Sequence, residues 1–442
     1  MATIDANPAS GTRDYLPEDL ARRDAAFGTI KRVFRQHGFD PLDTPAFERL
    51  EVLTGKYGDE GDQLIFKILR RGEHAATGQA DLALRYDLTV PLARVAARYG
   101  SQLPQPFKRY QIAPVWRADR PGKGRFREFY QCDLDVVGSA SLIADATTIV
   151  ALTDALHALG IEGYRVQVNH RRALAGLVEA FGIPVALATE TLVALDKLDK
   201  IGVERVGTEL AERGIPAAAA AQLVAALRRD DAVDVLRERL STTTQGAEGL
   251  AEVDRLLTLI GSVAGGTVTF SPVLARGLSY YTGPVFEVIH DELDVTIAAG
   301  GRYDGLIGMF QSQDVAATGG SLGLERIMLL LEAQGNHVSV GPQVVATVVD
   351  DIHAATTMEI AQSLRGAGVT VDVYAGSGKL GKQLKYADRR RAKIALIVGQ
   401  QEAADGTVTL KDLVSGQQST VTQDDVVPHV LRLVETIDGL GK

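Results

Sequence analysis

The densest chemistry in the chain lies between Lys108 and Glu128. Seven basic side chains stand there (Lys108, Arg109, Arg117, Arg120, Lys123, Arg125 and Arg127), opposed only by Asp119 and Glu128. A guanidinium is a rigid donor fork that matches phosphate oxygens two at a time, so clustered arginines suit a polyphosphate. The same charges could equally belong to a solvated hairpin that binds nothing. The following stretch narrows the choice. Residues 128–137 read as a strand, with Tyr130, Cys132, Leu134 and Val136 on one face and Phe129, Gln131, Asp133, Asp135 and Val137 on the other. Two acids and an amide on the inner part of a strand need polar partners, and a polar pocket floor is the simplest way to supply them. Asp133 could instead be the structural partner of an arginine, which periodicity does not decide.

Three further segments carry suitable residue types. Residues 84–91 (LRYDLTVP) end a strand and start a helix, where Asp87 and Thr89 read first as capping residues. Residues 276–283 (RGLSYYTG) place an arginine just ahead of two tyrosines bounded by glycines, and could be no more than a strand with tyrosines at a surface. Residues 319–326 (GGSLGLER) run into an apolar helix over 327–331; glycines at a helix N-terminus suit an anion, yet lone Gly-rich turns are mostly structural. Neither a Walker A loop nor a Rossmann fingerprint is present.

Composition bounds the rest. The 442 residues are 45% hydrophobic, which excludes wholesale disorder and implies several domains. A single cysteine, Cys132, excludes an internal disulfide and any CxxC zinc site, and no pair of the eight histidines has helical ligand spacing. No metal is therefore expected from a protein motif. With 56 acids against 47 bases, the net charge of −9 argues against indiscriminate nucleic-acid binding while leaving room for a local basic face. No apolar run of membrane-spanning length and no secretory leader pattern is found, so a cytoplasmic protein without a membrane partner is expected.

The elements that must position these residues fall into three styles. A helix should start at Leu16-Pro17-Glu18-Asp19, carry Leu20, Phe27, Ile30 and Phe34 on one side and stop at Gly38. Strands are expected at 82–86, 113–117, 128–137 and 285–289, with residues 118–125 joining a hairpin. Their irregular mixture with helices indicates an α+β domain. Residues 173–262 turn Ala-, Leu-, Glu- and Arg-rich and predict a helical insertion, with helices after Pro216 and over 233–240. Beyond Gly341-Pro342 strands at 344–349, 369–374 and 394–398 alternate with helices ending at 365, spanning 380–391 and spanning 424–437. That alternation predicts a compact α/β domain. Its residues 376–395 hold seven basic side chains and one acid, and Lys379, Lys382, Lys385, Arg389 and Lys393 recur at helical spacing. Such a stripe can track phosphates, or be an ordinary exposed helix face.

Together these segments resemble the class II aminoacyl-tRNA synthetases, and specifically the histidyl-tRNA synthetase family. The stretch 109–138 resembles motif 2 and 319–326 motif 3; Thr44-Pro45 stands where motif 1 and its dimer-interface proline fall. Residues 84–89, 276–281 and 299–305 (AGGRYDG) resemble the histidine-specific signatures. The resemblance implies an α+β chain with an antiparallel class II catalytic core over 1–172 and 263–335, a helical insertion over 173–262 and a C-terminal α/β anticodon-binding domain over 341–442. It implies a homodimeric ligase that uses ATP with Mg²⁺ to make histidyl-adenylate and then charges tRNA(His). By the same resemblance Arg117, Arg125 and Arg326 meet the ATP phosphates and Phe129 the adenine. Asp87, Leu88, Thr89 and Gln131 line the amino subsite, and Asp135 and Tyr281 meet the imidazole, with Tyr280 in the same wall. Arg276 and Arg117 are the implied catalytic cations. The five residues of the basic stripe are implied tRNA contacts. Two departures stand out: Ser279 where the family usually has aspartate, and Asp119 where motif 2 has glutamate. A non-catalytic relative, the regulatory subunit of ATP phosphoribosyltransferase, is the rival reading; it lacks the anticodon domain and tends to lose motif residues, whereas Arg117, Arg276 and Arg326 are present here.

Overall fold

A computed structural model describes residues 4–122, 124–275, 280–335 and 340–440. Arg276, Ser279 and Lys123 lie outside the described residues. The chain divides into two compact units, Met1–Asp14 with Arg23–Asn336 and Tyr15–Arg22 with His337–Lys442.

Helix α1 (Pro17–Gln36) opens on Pro17 with Glu18 and Asp19 in its first turn, where acids complement the helix dipole. It buries Ala26, Ile30, Val33 and Phe34, and Gly38 turns the chain at φ 77°. Leu20, expected on the same stripe, is exposed. There follow β1 (Asp40–Pro41), β2 (Phe47–Arg49), the short helices α2 (Leu50–Leu53) and α3 (Gly58–Gln63), β3 (Lys67–Leu69), β4 (Ala80–Leu84) and α4 (Thr89–Tyr99). The long hairpin of β5 (Phe107–Trp116) and β6 (Glu128–Val137) leads to α5 (Leu142–Ala158) and β7 (Tyr164–His170). Six helices come next: α6 (Arg171–Ala180), α7 (Ala188–Leu195), α8 (Leu198–Glu212), α9 (Ala217–Leu227), α10 (Ala232–Ser241) and α11 (Thr244–Ile260). The unit closes with β8 (Thr267–Phe270), β9 (Pro284–His290), β10 (Val295–Arg302), β11 (Ala317–Gly323) and α12 (Leu324–Ala333).

Eight of these strands form one sheet in the order β1-β5-β6-β11-β10-β9-β7-β8, antiparallel throughout its middle and parallel only at the two edge pairs. One face carries the main core. Cys132, Leu134 and Val136 of β6 pack there with Phe286, Val288 and Leu322, against Ile30 and Phe34 of α1, Ile149, Leu152 and Leu156 of α5, and Ile327 and Leu331 of α12. The alternation expected in β6 is therefore the real one. The hairpin departs from expectation in its connection, which runs from residue 117 to 127. The Arg117 amide still donates to the Arg127 carbonyl at 2.9 Å, while the Arg127 amide turns to the Gly11 carbonyl, so the chain between them leaves the ladder.

Helices α6 to α11 enclose a separate cluster of apolar side chains, including Leu177, Leu195, Val206, Leu223, Leu240 and Val253. Among the described residues no strand interrupts 171–266. Here α6 and α11 cross with glycines at the contact: a β-carbon on Gly176 would collide with Gly246, and one on Gly249 with the Ala173 backbone. His170 caps α6, its Nδ1 accepting from the Arg172 amide at 3.0 Å, while Nε2 lies 3.2 Å from Glu252.

The second unit holds β12 (Val344–Ala346), α13 (Ala354–Gly366), β13 (Val371–Val373), α14 (Leu380–Arg389), β14 (Ile394–Ile397), α15 (Gln400–Asp405), β15 (Thr407–Asp412), β16 (Gln418–Thr422) and α16 (Val426–Leu440). Its sheet runs β13-β12-β14-β15-β16, parallel in the first three strands and antiparallel in the last three. The strand expected over 344–349 is shorter, because the Val348 amide donates to the Gln383 side chain at 2.8 Å instead of to a neighbouring strand.

Replacing Gly249 by Ala should lower the midpoint of thermal unfolding. Overpacking two helix backbones typically costs about 1–3 kcal/mol, which outweighs the ~1 kcal/mol that alanine adds to a helix. A more stable G249A protein would contradict the close crossing of α6 and α11.

Candidate active site

The opposite face of the sheet is polar, and strand register assembles it. Arg109 of β5 stands opposite Asp135 of β6, Gln111 opposite Asp133 and Ala113 opposite Gln131. On the other side of β6, Gly319 faces Asp135, Ser321 faces Asp133 and Gly323 faces Gln131. Arg109 is fully buried; its Nη2 lies 2.8 Å from Asp135 Oδ2 and donates to the Leu88 carbonyl at 3.1 Å. The Tyr303 hydroxyl donates to Asp135 Oδ1. Burial raises the Asp135 carboxyl above its ordinary range, opposed by Arg109 and Tyr303. Asp133 is pushed up to about 7 by burial first, with the charges of Asp135 and Asp87 adding to it and Arg109 and a hydrogen bond from Ser321 opposing. Two carboxylates thus share one buried guanidinium. Among the described residues, Gln131 Oε1, Asp133 Oδ1 and Asp87 Oδ2 are buried with no hydrogen-bond partner. Unpaired acceptors on this face, beside the unpaired Nε and Nη1 donors of buried Arg109, are what a polar ligand rich in donors and carrying an acceptor would satisfy.

Glycines keep this floor low. A β-carbon on Gly319 would collide with the Asp135 carboxylate, and one on Gly301 would lie 2.7 Å from the Pro284 carbonyl and 3.0 Å from the Tyr281 ring. Gly319 and Gly320 lie inside β11 and not at the entrance to α12, which favours the structural reading of this Gly-rich run over the anion-site one. Gly323 alone caps the helix. Arg302 secures the end of β10 through an ion pair with buried Asp145 at 2.5 Å, while its Nη1 donates to the Ser139 carbonyl at 2.9 Å. The next residue, Tyr303, is thereby held toward Asp135.

The wall comes from the segment between β4 and α4. Asp87 is buried, and its Oδ1 accepts from the Val90 amide at 3.0 Å, which is the capping bond expected of it. The same oxygen accepts from the Tyr57 hydroxyl at 3.0 Å. Burial raises its carboxyl, opposed in turn by the Val90 amide, Arg117 and Tyr57. Leu88 is buried below, and burial pushes the Tyr280 hydroxyl well above the ordinary tyrosine range, with Thr89 and Arg117 opposing the rise. Tyr280 meets Tyr281 and Tyr303 edge-on at 5.1 and 6.0 Å between centroids. Arg117 donates from Nε to the Tyr86 carbonyl at 3.1 Å and lies over the rings of Tyr86 and Phe129, at 4.4 and 5.1 Å. Arg125 is exposed, paired with Asp119 at 2.6 Å, so the shorter acid of motif 2 holds an arginine of the same connection. Arg326, exposed in the first turn of α12, donates to the Thr296 carbonyl at 2.5 Å. The structure thus brings together Asp87, Leu88, Thr89, Arg117, Phe129, Gln131, Asp135, Tyr280 and Tyr281; Arg125 and Arg326 stand on exposed segments leading from that face.

Tyr57, which stands behind the site, lies in none of the motif segments, while Arg109 and Tyr303 lie inside two of them without being assigned a role there. Alternation in β5 could have found Arg109, since odd-numbered residues of both hairpin strands share a face. Tyr57 carries no local signal, because only folding brings it to Asp87.

In the second unit the basic stripe is shorter than its spacing suggests. Lys382, Lys385 and Arg389 are exposed on α14 and Lys379 stands at its start. Arg391 turns the chain at φ 52°, which ends the helix before Lys393. Buried Gln383, which donates to the Val348 carbonyl at 2.7 Å, orients the lysines outward.

A mainly antiparallel sheet with a polar, glycine-lowered face, an arginine-rich hairpin and a final strand running into an arginine-bearing helix defines the catalytic core of a class II aminoacyl-tRNA synthetase. The family profile described as histidyl-tRNA synthetase matches residues 11–327, and that of an anticodon binding domain matches 343–433. The chain is 40% identical to the histidine–tRNA ligase of Cytophaga hutchinsonii, over 95% of this chain and 98% of that protein. It is 38% identical to that of Gloeobacter violaceus, over 93% and 95%. A crystal structure of histidyl-tRNA synthetase from Nostoc sp. PCC 7120 superposes with a TM-score of 0.79 at 32% identity, covering 97% of this chain and all of that one. The chain belongs to the histidyl-tRNA synthetase family.

The buried Asp133 carboxyl gives the site a pH signature. It titrates near 7 in the folded protein and near ~3.9 when unfolded, so its ionisation lowers stability as pH rises from about 4 to 7. Asp133→Asn should therefore be more stable than the parent protein at pH 8, with the gain shrinking toward pH 4. Urea unfolding of both proteins across that range tests this; a pH-independent difference would contradict it.

Proposed function

We propose that this chain is a histidine–tRNA ligase that activates histidine with ATP to histidyl-adenylate and pyrophosphate, then transfers histidine to the terminal ribose of tRNA(His). The observation that carries the reading is the polar floor of Gln131, Asp133 and Asp135, where buried acceptors without partners lie beside an arginine-rich hairpin. Histidine's carboxylate is ionised at neutral pH and needs no base to attack phosphorus. Both reactants are anions, so catalysis consists of aligning an in-line displacement and offsetting charge. In this reading Arg117 holds the α-phosphate, and its two aromatic neighbours and the Tyr86 carbonyl keep its fork aimed. Arg125 and Arg326 take the outer phosphates, Phe129 the adenine, and Arg276 spans the substrate carboxylate and α-phosphate.

Asp87, Leu88, Thr89 and Gln131 form the amino subsite. Asp135 and Tyr281 accept and donate at the imidazole, with Tyr280 behind them. An apolar analogue would leave these buried groups unpaired, which is a strong basis for discrimination. Mg²⁺ accompanies the ATP phosphates.

In this assignment residues 1–172 and 263–335 are the catalytic core, 173–262 the insertion and 341–442 the anticodon domain. Lys379, Lys382, Lys385, Arg389 and Lys393 meet tRNA phosphates. A homodimer in the cytoplasm belongs to the same proposal; no described helix is long and apolar enough to cross a membrane. A structure titled as an ATP phosphoribosyltransferase regulatory subunit/histidyl-tRNA synthetase from Bacillus halodurans C shares the fold, with a TM-score of 0.72 at 24% identity. The match of residues 343–433 to an anticodon binding domain favours the ligase over the regulatory reading.

ATP–pyrophosphate exchange with each of the twenty amino acids, without tRNA, tests the function. Exchange with histidine alone is expected, and none from a folded protein that binds histidine would favour the regulatory reading. Arg276→Ala should slow exchange by orders of magnitude while histidine still binds; near-normal turnover would remove Arg276 from its role. Charge reversal at Lys382 and Lys385 should weaken tRNA charging and spare exchange, whereas equal loss in both assays would contradict a tRNA-specific role.

A further inference from the structure

Asp87 presents an asymmetric carboxylate. Its Oδ1 is saturated by two donors, the Val90 amide and the Tyr57 hydroxyl, each at 3.0 Å, while Oδ2 is buried and has no hydrogen-bond partner among the described residues. The Val90 bond belongs to the start of α4 and would form wherever that helix forms. The Tyr57 bond does not, because Tyr57 comes from the segment between α2 and α3, thirty residues earlier in the chain. That segment is itself anchored: the Gly55 amide donates to Asp62 Oδ2 at 2.7 Å, and the Ala118 amide donates to the Leu64 carbonyl at 2.9 Å. Tyr57 is 5% exposed and stacks on Tyr86 with ring centroids 4.3 Å apart. A β-carbon on Gly61 would collide with its Cβ, so the ring has one seat. Burial pushes its hydroxyl well above the ordinary tyrosine range, and it remains a donor at any working pH.

We propose that Tyr57 is a positioning residue that holds Asp87 with its free oxygen directed at the substrate's α-ammonium. The inference rests on the reading of Asp87 as part of the amino subsite. Two donors on Oδ1 fix the carboxylate plane, and the ammonium then meets an oriented acceptor without ordering it on arrival. Without the hydroxyl, the carboxylate rotates about the single bond from Val90 and loses a hydrogen bond that favours its charged form. The effect belongs to ligands that carry an ammonium and to no others.

The test compares histidine with 3-(imidazol-4-yl)propionate, the same molecule without its amino group, by calorimetry on the full-length protein. Tyr57→Phe keeps the ring and its stack and removes only the donor. Histidine should bind about tenfold more weakly to it, with binding of the propionate unchanged and turnover at saturating histidine within about twofold. Gly61→Ala, which keeps the tyrosine hydroxyl but shifts it away from Asp87 with the displaced ring, should show the same selective loss. Equal weakening of both ligands by Tyr57→Phe, or no change in either, would overturn the proposal. Asp87→Asn separates the two levels. If it abolishes the preference for the ammonium-bearing ligand while Tyr57→Phe keeps that preference, the positioning role alone fails. If Asp87→Asn leaves the preference intact, the amino-subsite reading fails and the role of Tyr57 with it.

Discussion

A guanidinium with no solvent exposure, Arg109, pairs with Asp135 in the middle of the sheet and acts through its charge on Asp133, and the surrounding structure is arranged around that charge. An ion taken out of water is tolerated only when paired and hydrogen-bonded, and removing one partner of such a pair typically costs about 3–5 kcal/mol. Asp135 supplies the counter-charge and the Leu88 carbonyl a further acceptor, so β5, β6 and the segment before α4 are tied at one atom. Tyr303 then occupies the other oxygen of Asp135. With one cation for two acids, the Asp133 carboxyl is pushed up to about 7 by burial, and the face keeps acceptors that the protein does not fill.

The glycines follow from the same constraint. Carboxylates on β6 need room above β11, and any side chain at Gly319 would take it. Glycine is a poor strand residue on its own account, so its place in the middle of a sheet marks close approach by another group. Arg302 and Asp145 hold the end of the neighbouring strand against the loss of side-chain packing, and through Tyr303 they reach the same carboxylate. The core face of the sheet, filled by α1, α5 and α12, makes the platform stiff enough for these polar groups to keep their geometry.

The second unit solves a different problem with the same economy of means. Gln383 is buried and bonded at both ends to the Val348 backbone, which shortens β12 and sets the roll of α14. The exposed lysines follow from that roll. Lys393, in register with them by count, falls outside the helix because the chain turns at Arg391.

Much of this was legible in the residues. The two faces of β6 follow from periodicity, because burial acts on every second side chain and leaves that pattern behind, whereas the helical insertion over 173–262 and its helix after Pro216 follow from composition and a Pro-started alanine run. The residues Asp87, Gln131, Asp135 and Arg117 were marked by motif resemblance. The 407–422 hairpin was missed because its alternation is mostly threonine and carries little apolar contrast. Gly319 and Gly320 left an anion site and a structural role both open, since a glycine pair says that something comes close without saying what. The sequence by itself determined which side chains share a strand face and which residue types could do the chemistry, for those depend on local period and composition. Only the tertiary structure decided that Arg109 neutralises Asp135, that Tyr57 reaches Asp87 and that Tyr303 completes the floor. Those pairings join residues far apart in the chain, and their energy comes from shared burial, which no local stretch of sequence contains.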